Sequence, residues 1–116
     1  MSTMLHGKVI ASRVYTEFFP VSSDDEVLHA GCGAGVQILA YGKGAGRRIT
    51  CCDIQELRVQ TTLSAAHRAG IKNIEGVVAD LEALPFTDGT FDKIIAIDII
   101  QHVRHPKKVL AEFLRV

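Results

Sequence analysis

Residues Val27–Gly35 read "VLHAGCGAG". An apolar run leads straight into three glycines at alternate positions, Gly31, Gly33 and Gly35. Val27, Leu28 and Ala30 suit a short buried strand. The glycines suit a turn where backbone and ligand come close, because no Cβ stands between them. If a helix follows, its first N–H groups have no partner within the helix and favour an anionic group. The spacing G-x-G-x-G departs from the dinucleotide fingerprint G-x-G-x-x-G, since Val36 follows Gly35. No Gly-Lys-Ser or Gly-Lys-Thr of a P-loop occurs. A nicotinamide-binding domain is therefore the poorer reading of this turn.

Downstream, strand and helix patterns alternate. Gly35–Tyr41 predicts a short helix, ended by Gly42, Gly44 and Gly46. Arg48–Cys52 predicts a second strand that runs into Asp53, and Gln55–Ala69 a helix with Leu57, Leu63 and Ala66 on one face and Gly70 as its stop. Ile74–Ala79 predicts a third strand ending at Asp80. After the loop "LPFTDGT", Phe91–Ile97 predicts an isoleucine-rich fourth strand. Pro106 suits a first helical turn, and Lys107–Leu114 continues it. Upstream, Leu5, Val9, Val14, Phe18 and Phe19 predict a helix over Thr3–Phe19, stopped by Pro20. Alternating strands and helices imply a parallel sheet with right-handed crossovers. The expected fold is α/β: one domain over 1–116, with an N-terminal helix in 1–20 and a Rossmann-like open parallel sheet of four strands in 26–116.

Bulk composition narrows the function. The 116 residues fit a single core, and 47% hydrophobic with 22% charged residues is a globular balance. Thirteen basic residues cancel thirteen acidic ones, which argues against a nucleic-acid or anionic-membrane partner. No run nears the roughly 18 apolar residues of a membrane span, and the N-terminus has no signal-peptide core. Cys32, Cys51 and Cys52 are odd in number and lack metal-ligand spacing. Reduced thiols and a cytoplasmic location follow as expectations, with no metal.

Two carboxylates stand where open α/β sheets bind ligands, at the carboxyl ends of strands. Asp53 could accept two hydrogen bonds from a ribose diol, or cap the following helix. Asp80 closes the third strand in the same way.

The stretches "VLHAGCGAG", "CCDI", "VVADLEALPFTDGTFDKIIAIDIIQHV" and "HPKKVLAEFLRV" together resemble class I S-adenosylmethionine-dependent methyltransferases, most closely the small-molecule group that includes ubiquinone/menaquinone-biosynthesis enzymes. The resemblance runs from about Val27 to the C-terminus. It implies S-adenosylmethionine as cofactor, with Gly31, Gly33 and Gly35 along its methionine moiety. It further implies Asp53 on the ribose, Ile54 on the adenine, and Asp80 on the adenine amine with Leu81 beside it. Asp98 and the segment to His102 would face the methyl-transfer site, Asp98 also touching the cofactor. Asp98 and His102 are the catalytic candidates, although His102 also suits a structural place after the fourth strand. His105 suits a solvated helix start. The implied strand order is third, second, first, fourth.

His29 departs from the family, which usually carries an acid there to help hold the cofactor's ammonium. A neutral imidazole brings no charge to that place, so weaker cofactor binding is expected. The family's final helix is followed by a glycine turn and further strands, which this chain lacks. Two functions follow: methyl transfer to a small-molecule acceptor, or a non-catalytic, degenerate binding or assembly module. With no fifth strand after the last helix, the fourth strand, "FDKIIAIDII", is expected to be an exposed apolar edge guarded by Lys93 alone. A homodimer or another partner chain covering that edge is the corresponding expectation.

Overall fold

β-Branched residues and cysteines fill the centre of a six-stranded sheet. The computed structural model describes residues 2–5, 9–12, 21–33, 38–39, 46–97 and 99–116. Its strands are β1 (Ser2–Leu5), β2 (Val9–Ser12), β3 (Glu26–Ala30), β4 (Arg48–Asp53), β5 (Ile74–Val78) and β6 (Lys93–Ala96). Helix α1 spans Glu56–Arg68, a single 3₁₀ turn spans Ile100–His102, and helix α2 spans Pro106–Arg115. The sheet order is β1-β2-β6-β3-β4-β5. Strands β5, β4, β3 and β6 are parallel neighbours, so the expected third-second-first-fourth order holds.

Central position explains strand composition. In β4, Ile49 through Asp53 are all buried, because helices cover both faces of the strand. Leu28, Ala30, Cys52, Ile94 and Ala96 pack on one face with Val109 and Phe113 of α2. Val27, Ile49, Ile95 and Ile97 form the other face with Ile38, Ala66 and Ile71. All three cysteines are free and buried.

Helix α1 buries Val59, Thr62 and Ala66. Leu57 was expected on this inner face but is 78% exposed. Six residues separate Leu57 from Leu63, which at 3.6 residues per turn places them about 120° apart around the axis. Helix α1 lies close on β5: a Cβ at Gly76 would come 2.5 Å from Val59 Cγ1. The helix ends as its glycine predicts. Gly70 has φ +84°, its N–H donates to His67 O, and the Ile71 N–H reaches back to Ala66 O. That is a Schellman stop, with Ile71 and Ala66 packed in one cluster.

The loop "ALPFTDGTFD" owes its form to the end of α2. Arg115 donates to Leu84 O, Phe86 O and Asp88 Oδ1 at 2.8–2.9 Å. The same guanidinium forks onto Glu112 at 2.8 Å through Nε and Nη2, and Glu112 accepts the Leu84 N–H at 2.7 Å. These partners hold the Arg115 pKa above its ordinary range and the Glu112 carboxyl below its own. Phe86 and Phe91 meet edge to face at 5.0 Å. The loop and α2 are therefore one unit.

The N-terminal expectation needs correction. Residues 2–5 and 9–12 are strands, not part of a helix over 1–20; 13–20 lie outside the described residues. Strand β1 pairs antiparallel with β2, and β2 runs parallel to β6 with Val9, Ile10 and Ala11 opposite Ile94, Ile95 and Ala96. The i, i+4 spacing of Leu5 and Val9 mimicked a helix. The unpaired backbone of β6 recruits a strand instead, and Val9-Ile10 suits one. The fourth strand is thus not the bare edge that the sequence suggested, and the reason given for a homodimer falls away.

An Ile10→Pro variant checks this pairing. Strand β2 is flanked on both sides, so the lost N–H removes a ladder bond worth about 0.5–1.5 kcal/mol. A lower melting temperature and new self-association by light scattering are expected. An unchanged melting curve and unchanged mass would contradict the pairing.

Candidate functional site

The parallel register of β3 and β4 sets Ala30 beside Cys52. The next residue on each strand is therefore at the carboxyl edge: Gly31 on one, Asp53 on the other. The Gly31 N–H extends the ladder to Cys52 O at 2.8 Å. Asp53 is 6% exposed, and both carboxylate oxygens are in use. Oδ2 accepts the Cys32 N–H at 3.2 Å, and Oδ1 accepts the Gln55 N–H at 2.9 Å. Arg58 stands 4.0 Å from Oδ2. Asp53 thus ties the glycine turn to the entry of α1, whose N-cap, Gln55, makes no side-chain cap of its own. The capping and ligand readings of Asp53 are compatible. A carboxylate has about four lone-pair sites, and two backbone N–H groups leave room for a diol.

Gly31 shows why the turn needs glycine. Its φ is +80°, and a Cβ would lie 2.2 Å from Ile99 Cδ1. The positive φ alone disfavours other residues. The Gly31 and Cys32 N–H groups are already engaged within the protein, so at these two positions the turn offers close approach, not donors.

A cleft of about 440 Å³ opens here, with Gly31, Asp53, Ile54, Asp80, Leu81 and His102 all on its walls. Ile54 is 66% exposed, an apolar platform beside Asp53. Asp80 uses Oδ1 to accept the Glu82 N–H at 2.9 Å, which turns the chain after β5. Ile99, against Gly31, and Val103, Arg104, Val109, Arg58 and Glu82 complete the lining. Sequence reasoning missed Arg58, Glu82 and Arg104. Arg58 was legible in principle, one helical turn beyond Asp53; Arg104 carried no signal, because its place depends on the 3₁₀ turn.

Other expected residues lie elsewhere. Gly33 has φ +58° but does not line the cleft. Gly35 and Asp98 lie outside the described residues. His105 is tied down: its Nδ1 is 3.0 Å from both oxygens of Glu82. Among the described residues no His, Cys, Asp and Glu cluster could hold a metal, and no helix there is long and apolar enough to cross a membrane.

His29 is 1% exposed and is not a cleft-lining residue. It sits beside Cys51 and Ile95 in the sheet, on the face that carries Val27. Burial pushes its pKa down to about 4, so the imidazole is neutral at pH 7. Cys51 and Cys32 pack together next to Val59. Their hydrogen bond, with burial, raises the Cys32 thiol well above its usual range, and burial pushes Cys52 up to about 12.

Residues 28–116 match the family model of the methyltransferase domain. Norajmaline N-methyltransferase of Rauvolfia serpentina is 29% identical over 98 residues, covering 84% of this chain and 34% of that enzyme. The YcgJ protein of Bacillus subtilis superposes with a TM-score of 0.76 at 28% identity, over 84% of this chain and 41% of that one. An S-adenosylmethionine-dependent methyltransferase from Aquifex aeolicus gives 0.71 at 27% identity, over 86% and 54%. The chain therefore spans a third to about half of the proteins it matches.

The buried histidine yields a pH test. An unfolded chain protonates His29 near the ordinary 6.5, whereas the folded chain resists until about 4. Below pH 6.5 the unfolded state binds more protons, so stability is full above that pH and falls as the pH drops towards 4. The loss reaches roughly 3 kcal/mol. Urea melts at pH 7, 5.5 and 4.5 should show this slope, and His29→Gln should flatten it. Equal slopes in both proteins would contradict the burial of a neutral imidazole.

Proposed function

Because the chain belongs to the methyltransferase-domain family and carries the class I S-adenosylmethionine-dependent fold, we propose that its cleft binds S-adenosylmethionine and serves methyl transfer to a small-molecule acceptor. The observation that carries the reading is the pairing of Gly31 with Asp53 at the carboxyl edge of β3 and β4. The residues fit the group. Gly31 lets Ile99 pack against its backbone, which a Cβ would forbid, and the two together line the cleft. Asp53 keeps acceptor sites towards the cleft, and Ile54 offers an exposed apolar surface beside it.

In this reading Asp53 accepts from the ribose hydroxyls, Ile54 packs on the adenine, and Asp80 accepts from the adenine amine with Leu81 alongside. The cofactor, when bound, supplies a methyl group on a sulfonium centre, already activated for displacement. The protein's part is to position: the cleft walls hold acceptor and donor in line and keep bulk water out. His102, which also lines the cleft, orients the acceptor in this reading. No nucleophilic side chain is required. The neutral His29, behind the glycine turn, leaves the ammonium without a buried counter-charge from that strand, which supports modest cofactor affinity.

Calorimetry with S-adenosylmethionine, S-adenosylhomocysteine and NAD tests the reading. The first two should bind and NAD should not. Asp53→Ala should cost more affinity than Asp80→Ala, since the first loses a two-bond contact and the second one bond. A hydrogen bond to a charged group is worth about 1.5–3 kcal/mol. Asp53→Asn keeps the acceptor of the Gln55 N–H and separates lost binding from lost fold. No heat with either sulfur ligand, or equal losses from both alanine variants, would contradict the assignment.

A further inference from the structure

The charges of the cleft are unequally used. Asp53 faces Arg58, and Glu82 holds His105. Asp80 caps its own turn. Arg104 and His102 are exposed and line the same cleft. Among the described residues Arg104 and His102 have no side-chain hydrogen bond or ion pair. The segment 102–108 reads "HVRHPKK" and carries no acid. The cleft thus carries two guanidiniums, Arg58 held near Asp53 and Arg104 with no side-chain partner among the described residues, and the His102 imidazole stands two residues from Arg104.

We infer that the acceptor carries an anionic group, a carboxylate or a phosphate, that seats on Arg104 with His102 adjacent, its reacting end pointing towards the Gly31–Asp53 wall. This rests on the methyl-transfer reading of the cleft. The chemistry is specific. A guanidinium offers a planar fork that matches two oxygens of a carboxylate or phosphate. Arg58 is already engaged by Asp53 at 4.0 Å, so Arg104 is the guanidinium left for an anion. Lys107 and Lys108, one turn along and exposed, add attraction at long range without a fork.

Benzoate, phenyl phosphate and uncharged benzamide are the probes, titrated into the full chain with and without S-adenosylhomocysteine. Arginine side-chain NMR signals and chemical shifts of residues 99–109 are the readout. The anions should shift the Arg104 signal, and benzamide should bind at least about tenfold more weakly, as the loss of charge-assisted bonds requires. Arg104→Gln should remove the preference, while Lys107→Ala/Lys108→Ala should keep it within about twofold, a long-range contribution being screened by salt. Tighter benzoate assigns a carboxylate; tighter phenyl phosphate assigns a phosphate. Arg104 is exposed, so thermal melts of the variant should match the parent. Equal binding of anion and amide, no binding of any probe, or a preference lost equally with the lysine pair overturns the inference. S-adenosylhomocysteine binding without anion preference would leave the cofactor reading standing and this one refuted. Anion preference at Arg104 without cofactor binding would leave an anion site there and refute the methyl-transfer reading, and the acceptor assignment with it.

Discussion

One carboxylate joins the parts that make the cleft. Asp53 accepts a backbone N–H from Cys32, on the far side of the β3 ladder, and another from Gln55, at the mouth of α1. Both bonds are short in chain terms at only one end: Gln55 is a neighbour, whereas Cys32 is 21 residues away. The glycine turn, the start of the helix and the carboxyl edge of the sheet are fixed relative to one another through this side chain. Its burial strengthens those bonds by lowering the local dielectric. The same burial makes Asp53 hard to replace, because removing it strands two backbone donors.

A second, independent device fixes α2 against the loop before β6. Arg115 binds three loop acceptors and forks onto Glu112, so the β5–β6 loop and α2 move as one piece. The 3₁₀ turn that carries His102 lies between β6 and α2. The cleft is thus built from strand ends, the start of the β5–β6 loop and the segment that leads into α2.

Most of the sheet was legible in the sequence. β3 and β4 announce themselves as apolar runs ending in Gly31 and Asp53, and α1 by its Gly70 stop. Asp53 and Asp80 could be placed because strand ends face one edge in any open parallel sheet. What failed depended on tertiary context. The Leu5–Val9 spacing is shared by helices and by paired strands, and only the unpaired side of β6 decides between them. Leu57 looked apolar enough to be inside, but its angle around α1 exposes it. Arg104 reaches the cleft through a turn with no sequence signature. His29 stands beside the glycines in sequence, and strand alternation sets it on the Val27 face of the sheet, buried.

The central claim is that Asp53 serves as structural clamp and ligand acceptor at once. The amide resonances of Cys32 and Gln55 report directly on the two hydrogen bonds it makes within the protein. A ¹H–¹⁵N titration with S-adenosylhomocysteine, repeated with its 2′-deoxy analogue, reads them during binding. The account predicts that both amides shift with the ribose form and that the deoxy analogue binds more weakly with smaller shifts at these two sites. Saturable binding that leaves Cys32 and Gln55 unmoved, or equal behaviour of the two ligands, would contradict it.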